Sequence, residues 1–276
     1  MALVAPAVAP RRRWVAGAVL VALSVAAVPM AARFLTRGAQ PVSVRDALQR
    51  FRASHGAHPP RATSPGPTSG VYLYRATGQE RLSLLGTQQR WGDIVPATVA
   101  RDGARCWSWT VDFNTHHSQS FRYCARGAAM VETGGTTKQA FAFPGITVTD
   151  TYRFMCSTAP VMRRTDARAG ATAALRCRGV SLERGAHVSS TGTTSFVGRE
   201  RVRVGPSLVD ADRVRSVRTL TGSQRGVEQT ELWFARGNGR PLRMTRTLRV
   251  HSPAPIGSVT YTEAGSFTLA SLTPLR

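Results

Sequence analysis

The sequence predicts a mainly β protein, in which one N-terminal transmembrane helix is followed by one large, strongly curved antiparallel sheet or a sandwich, with a few short helices. Three observations support this prediction. The chain begins with a basic segment followed by an apolar one. About a dozen short runs rich in β-branched and aromatic residues come next. Turn dipeptides such as Asp102-Gly103 and Gly134-Gly135 separate neighbouring runs.

The first 34 residues predict a membrane anchor. Residues 1–13 end in three arginines and form the predicted cytoplasmic tail, and residues 14–34 form the predicted anchor. The uncharged part, Trp14 to Ala32, would span roughly 28 Å as a helix, close to the ~30 Å apolar thickness of a bilayer. The preceding arginines place the rest of the chain outside the cytoplasm. A cleaved signal peptide is the alternative, and it also leads to export.

Three segments follow the anchor. Residues 41–55 predict a short amphipathic helix, because Ser43 and Asp46 form a capping-box-like start and several apolar residues share one helical face: Val44, Ala47, Leu48 and Phe51. We expect this helix to pack on the exported domain rather than on the membrane. Residues 56–69 are rich in Pro and Gly and predict a linker. Residues 70–276 form the predicted exported β domain.

Alternation within the runs predicts half-buried antiparallel strands. In Arg201-Val202-Arg203-Val204 the valines point one way and the arginines the other. Arg243 to Val250 shows a similar division into a polar and an apolar face. A curved sheet with one apolar face needs a helix, a second sheet or an apolar ligand to cover it. The segment Ala159–Arg178 is where we expect a short helix or an irregular excursion.

The charge of the chain is strongly positive. The formal net charge is +22, and the four arginines before Phe34 leave the exported part at +18. Such a charge attracts anionic surfaces. However, the chain has one lysine, Lys138, against thirty-six arginines, which is typical of a GC-rich genome's codon use. Nucleic acid is not expected as a partner, since aromatic residues are scarce and no DNA-binding motif is present.

Four cysteines, Cys106, Cys124, Cys156 and Cys177, predict two disulfide bonds in an exported chain. Three pairings are possible. The sequential pairing is favoured because a hairpin centred on Thr115 would set Cys106 opposite Cys124. A four-thiolate metal site is disfavoured, because no Cys-x-x-Cys pair is present.

The sequence shows no catalytic or metal-binding signature, and we expect no cofactor and no enzymatic activity. His55, His58, His116 and His117 are interpreted as exposed loop residues rather than metal ligands. No Gly-x-Ser-x-Gly motif is present. The acidic residues favour no particular pair for glycoside chemistry. Trp107 and Trp109 are interpreted as core residues beside a disulfide, with a ligand platform as the alternative.

One part of the chain is similar to a known family. The segments that carry the similarity are Val209-Asp210-Ala211-Asp212-Arg213-Val214, Thr230-Glu231-Leu232-Trp233-Phe234, Gly239-Arg240-Pro241-Leu242-Arg243 and Val259-Thr260-Tyr261-Thr262-Glu263. Residues 200–265 thereby resemble exported domains of the lipoprotein-carrier (LolA-like) type. The whole domain also resembles membrane-anchored actinobacterial proteins. The LolA-like resemblance implies an unclosed, half-barrel-like sheet that wraps over helices and encloses an apolar cavity for lipids or lipoproteins.

The sequence therefore predicts a membrane-anchored, non-catalytic extracytoplasmic domain that binds a lipid or a lipoprotein acyl chain. The predicted apolar ligand face consists of Val202, Val204, Leu232, Phe234, Met244, Leu248 and Val250. The arginines predicted to contact anionic headgroups are Arg201, Arg203, Arg243 and Arg249. Two alternatives stay open. One is an envelope regulator or protein-interaction module that binds another envelope protein, and the other is a cell-wall-associated enzyme.

Overall fold

A computed structural model describes residues 39–55, 66–83, 86–143, 146–254 and 257–276. Residues 39–141 and 148–276 form one compact unit. Helix α1 spans Val44–His55. The strands are β1 (Gly70–Leu82), β2 (Gln88–Arg90), β3 (Ile94–Asp102), β4 (Cys106–Asn114), β5 (His117–Arg126), β6 (Ala129–Phe143), β7 (Ile146–Thr158), β8 (Val161–Arg164), β9 (Thr172–Ser181), β10 (His187–Val204), β11 (Ser207–Gly222), β12 (Arg225–Ala235), β13 (Pro241–Ala254) and β14 (Gly257–Leu269).

The strands form one closed antiparallel barrel. Most strands pair with the next strand along the chain, while β2 and β8 are short additions that pair with β1 and β6. The last strand returns to the first, with pairs that run from Tyr74 opposite Leu269 to Leu82 opposite Tyr261. This pairing of β1 with β14, which we call the closing seam, leaves a barrel of twelve strands. A closed barrel has no free sheet edge.

The predicted half-barrel is wrong because of this seam. Alternation along a strand predicts which side chains face the core, but it contains no information on whether the first and last strands meet. The prediction of a few short helices is also wrong, because α1 is the only α-helix of the described residues. Within the segment Ala159–Arg178, where a helix or an excursion was expected, the chain forms β8 and most of β9.

The transmembrane part of the predicted fold class is not supported. No helix in the described ranges has the length and apolarity needed to cross a bilayer. The predicted tail and anchor, residues 1–34, lie outside the described residues, as do residues 56–65 of the predicted linker.

Helix α1 has the apolar face and the capped N-terminus that the sequence predicts. The Ser43 hydroxyl accepts a hydrogen bond from the Asp46 amide at 3.1 Å, which caps the first turn. Ala47 and Phe51 are buried against Val71 of β1, with Leu48 packed beside them. Arg50 forms an ion pair with Asp112 of β4 at 2.6 Å. The helix therefore packs on the barrel wall, as predicted.

The apolar core is dominated by aromatic rings around Phe267 of β14. The centroid of this ring lies 5.4 Å from that of Tyr74 and 5.7 Å from those of Trp109 and Phe113. Trp91 stacks on Phe113 at 4.4 Å. Trp107 and Trp109 are both buried, which confirms their interpretation as core residues. The alternation of buried residues along β4 is the period of two that a strand requires.

Both predicted disulfides are present with the sequential pairing. Cys106 and Cys124 lie directly opposite each other on β4 and β5, and their sulfur atoms are bonded. Cys156 and Cys177 are bonded in the same way across β7 and β9. Each bond thus connects two adjacent strands of the barrel wall, and neither bond crosses the closing seam.

Candidate functional site

The predicted apolar ligand face is part of the packed core. All but one of its residues are buried, and Leu248 is half-buried. Within the described barrel, Val202, Val204, Leu232, Phe234 and Met244 belong to the same cluster as the aromatic rings. Their apolar surface is therefore covered by other side chains of the protein itself. A bound acyl chain would have to displace those contacts.

The four predicted headgroup arginines are all exposed, but the structure does not bring all four together. Arg201 lines a hollow beside the β10–β11 hairpin. Arg243 packs on the face of Trp233, with 4.9 Å between its guanidinium carbon and the ring centroid. Arg203 lies opposite Leu208 near the hairpin turn, whereas Arg249 lies opposite Val227 on a different part of the wall.

The hollow, which we call the arginine hollow, has a volume of about 300 Å³ and is open to solvent. Its lining residues are Arg199, Glu200, Arg201, Asp210 and Arg236. Sequence reasoning identified only Arg201 among them. Arg199 and Glu200 precede Arg201 on β10, and Asp210 lies on the next strand of the same hairpin, whereas Arg236 comes from the turn after β12 and could not be placed here from a local motif.

Strand pairing positions the side chains of the arginine hollow. Across β10 and β11, Arg199 lies opposite Asp212 and Arg201 lies opposite Asp210, and directly opposed residues project from the same face of a sheet. A bulge between Phe196 and Gly198 shifts the register just before this segment. Bulges redirect the side chains that follow them. The backbone amide of Arg236 donates to the Asp210 carbonyl at 3.0 Å, which attaches the next turn to the hairpin.

Asp212 is the charged centre beneath the hollow. Its carboxylate is almost fully buried and accepts a hydrogen bond from Nε of Arg163 at 3.1 Å. The Nε atoms of Arg199 and Arg236 lie 3.6 Å and 3.7 Å from its other oxygen. Three guanidinium groups thus surround one carboxylate, which leaves an excess of positive charge at a partly solvated surface. The Arg199 and Arg236 side chains remain about half exposed, at 45% and 47%.

The acidic residues of the hollow offset this excess only in part. The lining has two carboxylates, Glu200 and Asp210, against three guanidinium groups. The indole N–H of Trp233 donates a hydrogen bond to Glu200. Trp233 in turn lies between Arg213 and Arg243, which occupy the opposed positions on β11 and β13. The Arg201 side chain makes no hydrogen bond or ion pair to another described residue. Its guanidinium is therefore available to an external anion.

A second charged cluster lies inside the barrel, and the sequence did not predict it. Glu80 and Glu263 face each other across the closing seam, and both are buried. Glu80 accepts hydrogen bonds from the Trp91 indole at 3.0 Å and pairs with Nδ1 of His117 at 2.7 Å. Arg246 lies 3.2 Å from Glu263. Because these groups are shielded from solvent, a ligand has no direct access to them.

Burial changes the acidity of this cluster. It raises the pKa of the Glu263 carboxyl, against the opposing effect of Arg246 and His117. Burial also acts on Glu228, but there Arg246 and Arg218 outweigh it and hold the pKa of that carboxyl below its ordinary value. Glu132 is paired with Arg218 at 2.8 Å. The Glu228 carboxylate is thus stabilised in its charged form, whereas Glu263 retains its proton more readily.

The interpretation of His117 as an exposed loop residue is wrong, because its side chain is buried beside Glu80. The prediction failed because the turn after β4 is only two residues long, so His117 already begins β5 and faces the core. His116 is half-buried, and His58 lies outside the described residues. Within the described ranges, no three His, Cys, Asp or Glu residues are grouped so that they could hold a metal ion.

Comparisons with known proteins add no family assignment. No protein-family model matches the chain, and neither a curated protein nor a solved structure is significantly similar to it. The class that the fold defines is a disulfide-bonded, closed antiparallel β barrel.

Proposed function

We propose that this protein is a non-catalytic, extracytoplasmic binding domain that recognises the phosphate group of an anionic ligand in the arginine hollow. The observation that carries the proposal is the excess of guanidinium groups around Asp212, together with the unpaired guanidinium of Arg201 in the described structure. Guanidinium groups bind phosphate oxygens through two parallel hydrogen bonds, which makes arginine well suited to this role. The two disulfides support a location outside the cytoplasm.

The surroundings of the hollow favour a lipid headgroup as the source of the phosphate. Val197 and Leu208 are large apolar residues with exposed fractions of 39% and 50%. Val197 lies two positions before Arg199, and Leu208 lies two positions before Asp210. Exposed apolar side chains beside a basic hollow match a ligand with a charged head and an apolar remainder. An acyl chain would then contact the rim of the hollow rather than the filled core.

The test compares one charge removal inside the hollow with one outside it. Residues 39–276 are prepared in oxidised form and titrated with vesicles that contain phosphatidylglycerol in phosphatidylcholine, and with inorganic phosphate. We expect Arg201→Gln to weaken binding about ten- to hundredfold, since a hydrogen bond to a charged group contributes about 1.5–3 kcal/mol. Arg249→Gln is the matched control, because Arg249 is exposed on another part of the wall. It should change the affinity less than twofold.

The outcomes distinguish the possible ligands. Loss of vesicle binding in Arg201→Gln, with no measurable affinity for inorganic phosphate, identifies the lipid headgroup. Binding of inorganic phosphate that depends on Arg201 identifies a free phosphate compound. Equal weakening by Arg201→Gln and Arg249→Gln would show a response to net charge alone, and would refute a specific site in the hollow.

A further inference from the structure

The closing seam contains two like charges at directly opposed positions. Glu80 of β1 and Glu263 of β14 are register partners, and the two residues are only 1% and 2% exposed. Opposed residues on one face have Cβ atoms only about 5 Å apart, and like charges at that distance destabilise the pairing of the strands. Because water is excluded, the repulsion between two carboxylates is weakly screened.

Every strand packed around Glu263 contributes a polar or charged group. On β14 itself, the Tyr261 hydroxyl donates to Glu263 at 2.9 Å. From β13, Arg246 pairs with Glu263 and also with Glu228 of β12 at 3.0 Å. From β5, Gln119 accepts a hydrogen bond from Arg246, and His117 faces Glu80. Arg218 of β11 is paired with Glu132 of β6 and also acts on Glu228.

The charges of the inner group do not balance when both carboxylates of the seam are ionised. Arg246 is shared among Glu263, Glu228 and Gln119, so it cannot neutralise Glu263 completely. His117 is the remaining group that can carry a positive charge next to Glu80. A proton on one of the opposed carboxyls removes the direct repulsion between them.

We propose that the closing seam is a proton-dependent latch, in which one proton bound by the Glu80–Glu263 pair holds β1 and β14 together and its loss loosens them. Because both disulfides connect other strands of the wall, only backbone pairing and buried side chains hold the seam. The two carboxyls interact strongly, so the proton belongs to the pair rather than to one residue.

The direction of the pH dependence follows from the raised pKa of Glu263. A carboxyl with a higher pKa in the closed barrel binds its proton more tightly there than in the opened or unfolded chain. Its contribution to stability is complete below the ordinary Glu value of about 4.3 and is lost as the pH rises through the higher value. We therefore expect a closed seam in acid and a looser one at higher pH.

Amide hydrogen exchange of the full chain over a pH series tests the latch. After correction for the intrinsic exchange rate, the opening constant of the β1 and β14 amides should rise with pH, by up to about tenfold per pH unit. Glu263→Gln and Glu80→Gln each place a neutral side chain of the same shape at the seam. Both substitutions should flatten this dependence and reduce opening at high pH. Glu183→Gln, on the exposed loop after β9, should leave the dependence unchanged.

Two results would overturn the proposal. One is an opening constant of the wild-type seam that does not change with pH. The other is a pH dependence that persists in both glutamine variants and disappears in His117→Asn, because the proton would then reside on the imidazole. Loss of the dependence in both glutamine variants supports the shared proton, whereas loss in only one of them would assign the proton to that residue and refute the sharing.

Discussion

Trp91 shows how single residues shape the closing seam. Its ring lies over Gly78 and Gly265, which are directly opposite each other on β1 and β14. A Cβ atom on Gly265 would lie 2.3 Å from the ring, closer than van der Waals contact permits. The indole N–H reaches Glu80 from this position. Because Gly78 and Gly265 have no side chains, Trp91 can pack against the seam and donate its hydrogen bond to Glu80.

Gly265→Ala should destabilise the protein by about 1–3 kcal/mol, the usual cost of an overpacked core position. Chemical denaturation gives the free energy of unfolding. Gly237→Ala is the control, because a Cβ atom there has no neighbour within 4 Å. An equal effect of the two substitutions would show that contact with Trp91 does not determine the change.

The residues differ in how well the sequence predicts their role. Trp107 and Trp109 could be predicted as core residues, since they alternate with polar residues along one short run. Glu80 and His117 could not, since the contact between them joins positions 37 residues apart. The local sequence around a buried acid or a buried histidine does not differ from the sequence around an exposed one of the same type. Glu80 lies on β1 and His117 on β5, which are not paired with each other, so only the closed barrel brings the two side chains together.

Helix α1 is an element whose sequence and tertiary contacts agree. The apolar face in the sequence predicted that the helix packs on the domain. In the structure, Ala47 and Phe51 of this face contact Val71. An isolated helix of this length is marginal in water, so its stability depends on that contact. The ion pair between Arg50 and Asp112 is partly exposed and contributes less than the apolar contact.

Phe51→Ala should release the helix from the barrel wall, because the buried ring supplies most of the contact. We expect a loss of about 3 kcal/mol in the free energy of unfolding, or rapid exchange confined to the amides of α1 if the barrel stays folded. Gln49→Ala changes an exposed position of the same helix and should have little effect. Unchanged protection of α1 in Phe51→Ala would contradict the predicted importance of this face.

At the level of the whole barrel, two kinds of constraint hold the wall together. The disulfides connect β4 with β5 and β7 with β9, and each closes a short stretch of chain. The β1–β14 seam closes the barrel through backbone pairing and buried side chains alone. The disulfides restrict the unfolded chain, whereas the β1–β14 seam acts only in the folded molecule.

Replacing Cys106 and Cys124 together by alanine should lower the free energy of unfolding by about 3 kcal/mol, and replacing Cys156 and Cys177 should have a similar effect, because the closed loops are of similar length. Denaturation of the two double variants and of the oxidised wild type provides the measurement. If the free energy of unfolding of either double variant falls by less than about 1 kcal/mol, its disulfide does not stabilise the fold by restricting the unfolded chain.

Local patterns in the chain were sufficient to predict the β class, helix α1, the inward-facing apolar residues and the pairing of the cysteines. Each of these depends on neighbours in sequence, or on a hairpin short enough to be recognised from its turn. The closure of the barrel, the charged pair at the seam and the arginine hollow were decided by the tertiary structure. They join Glu80 to Glu263, and Arg163 to Asp212 and Arg236, across distances in sequence over which hydrophobic periodicity contains no information.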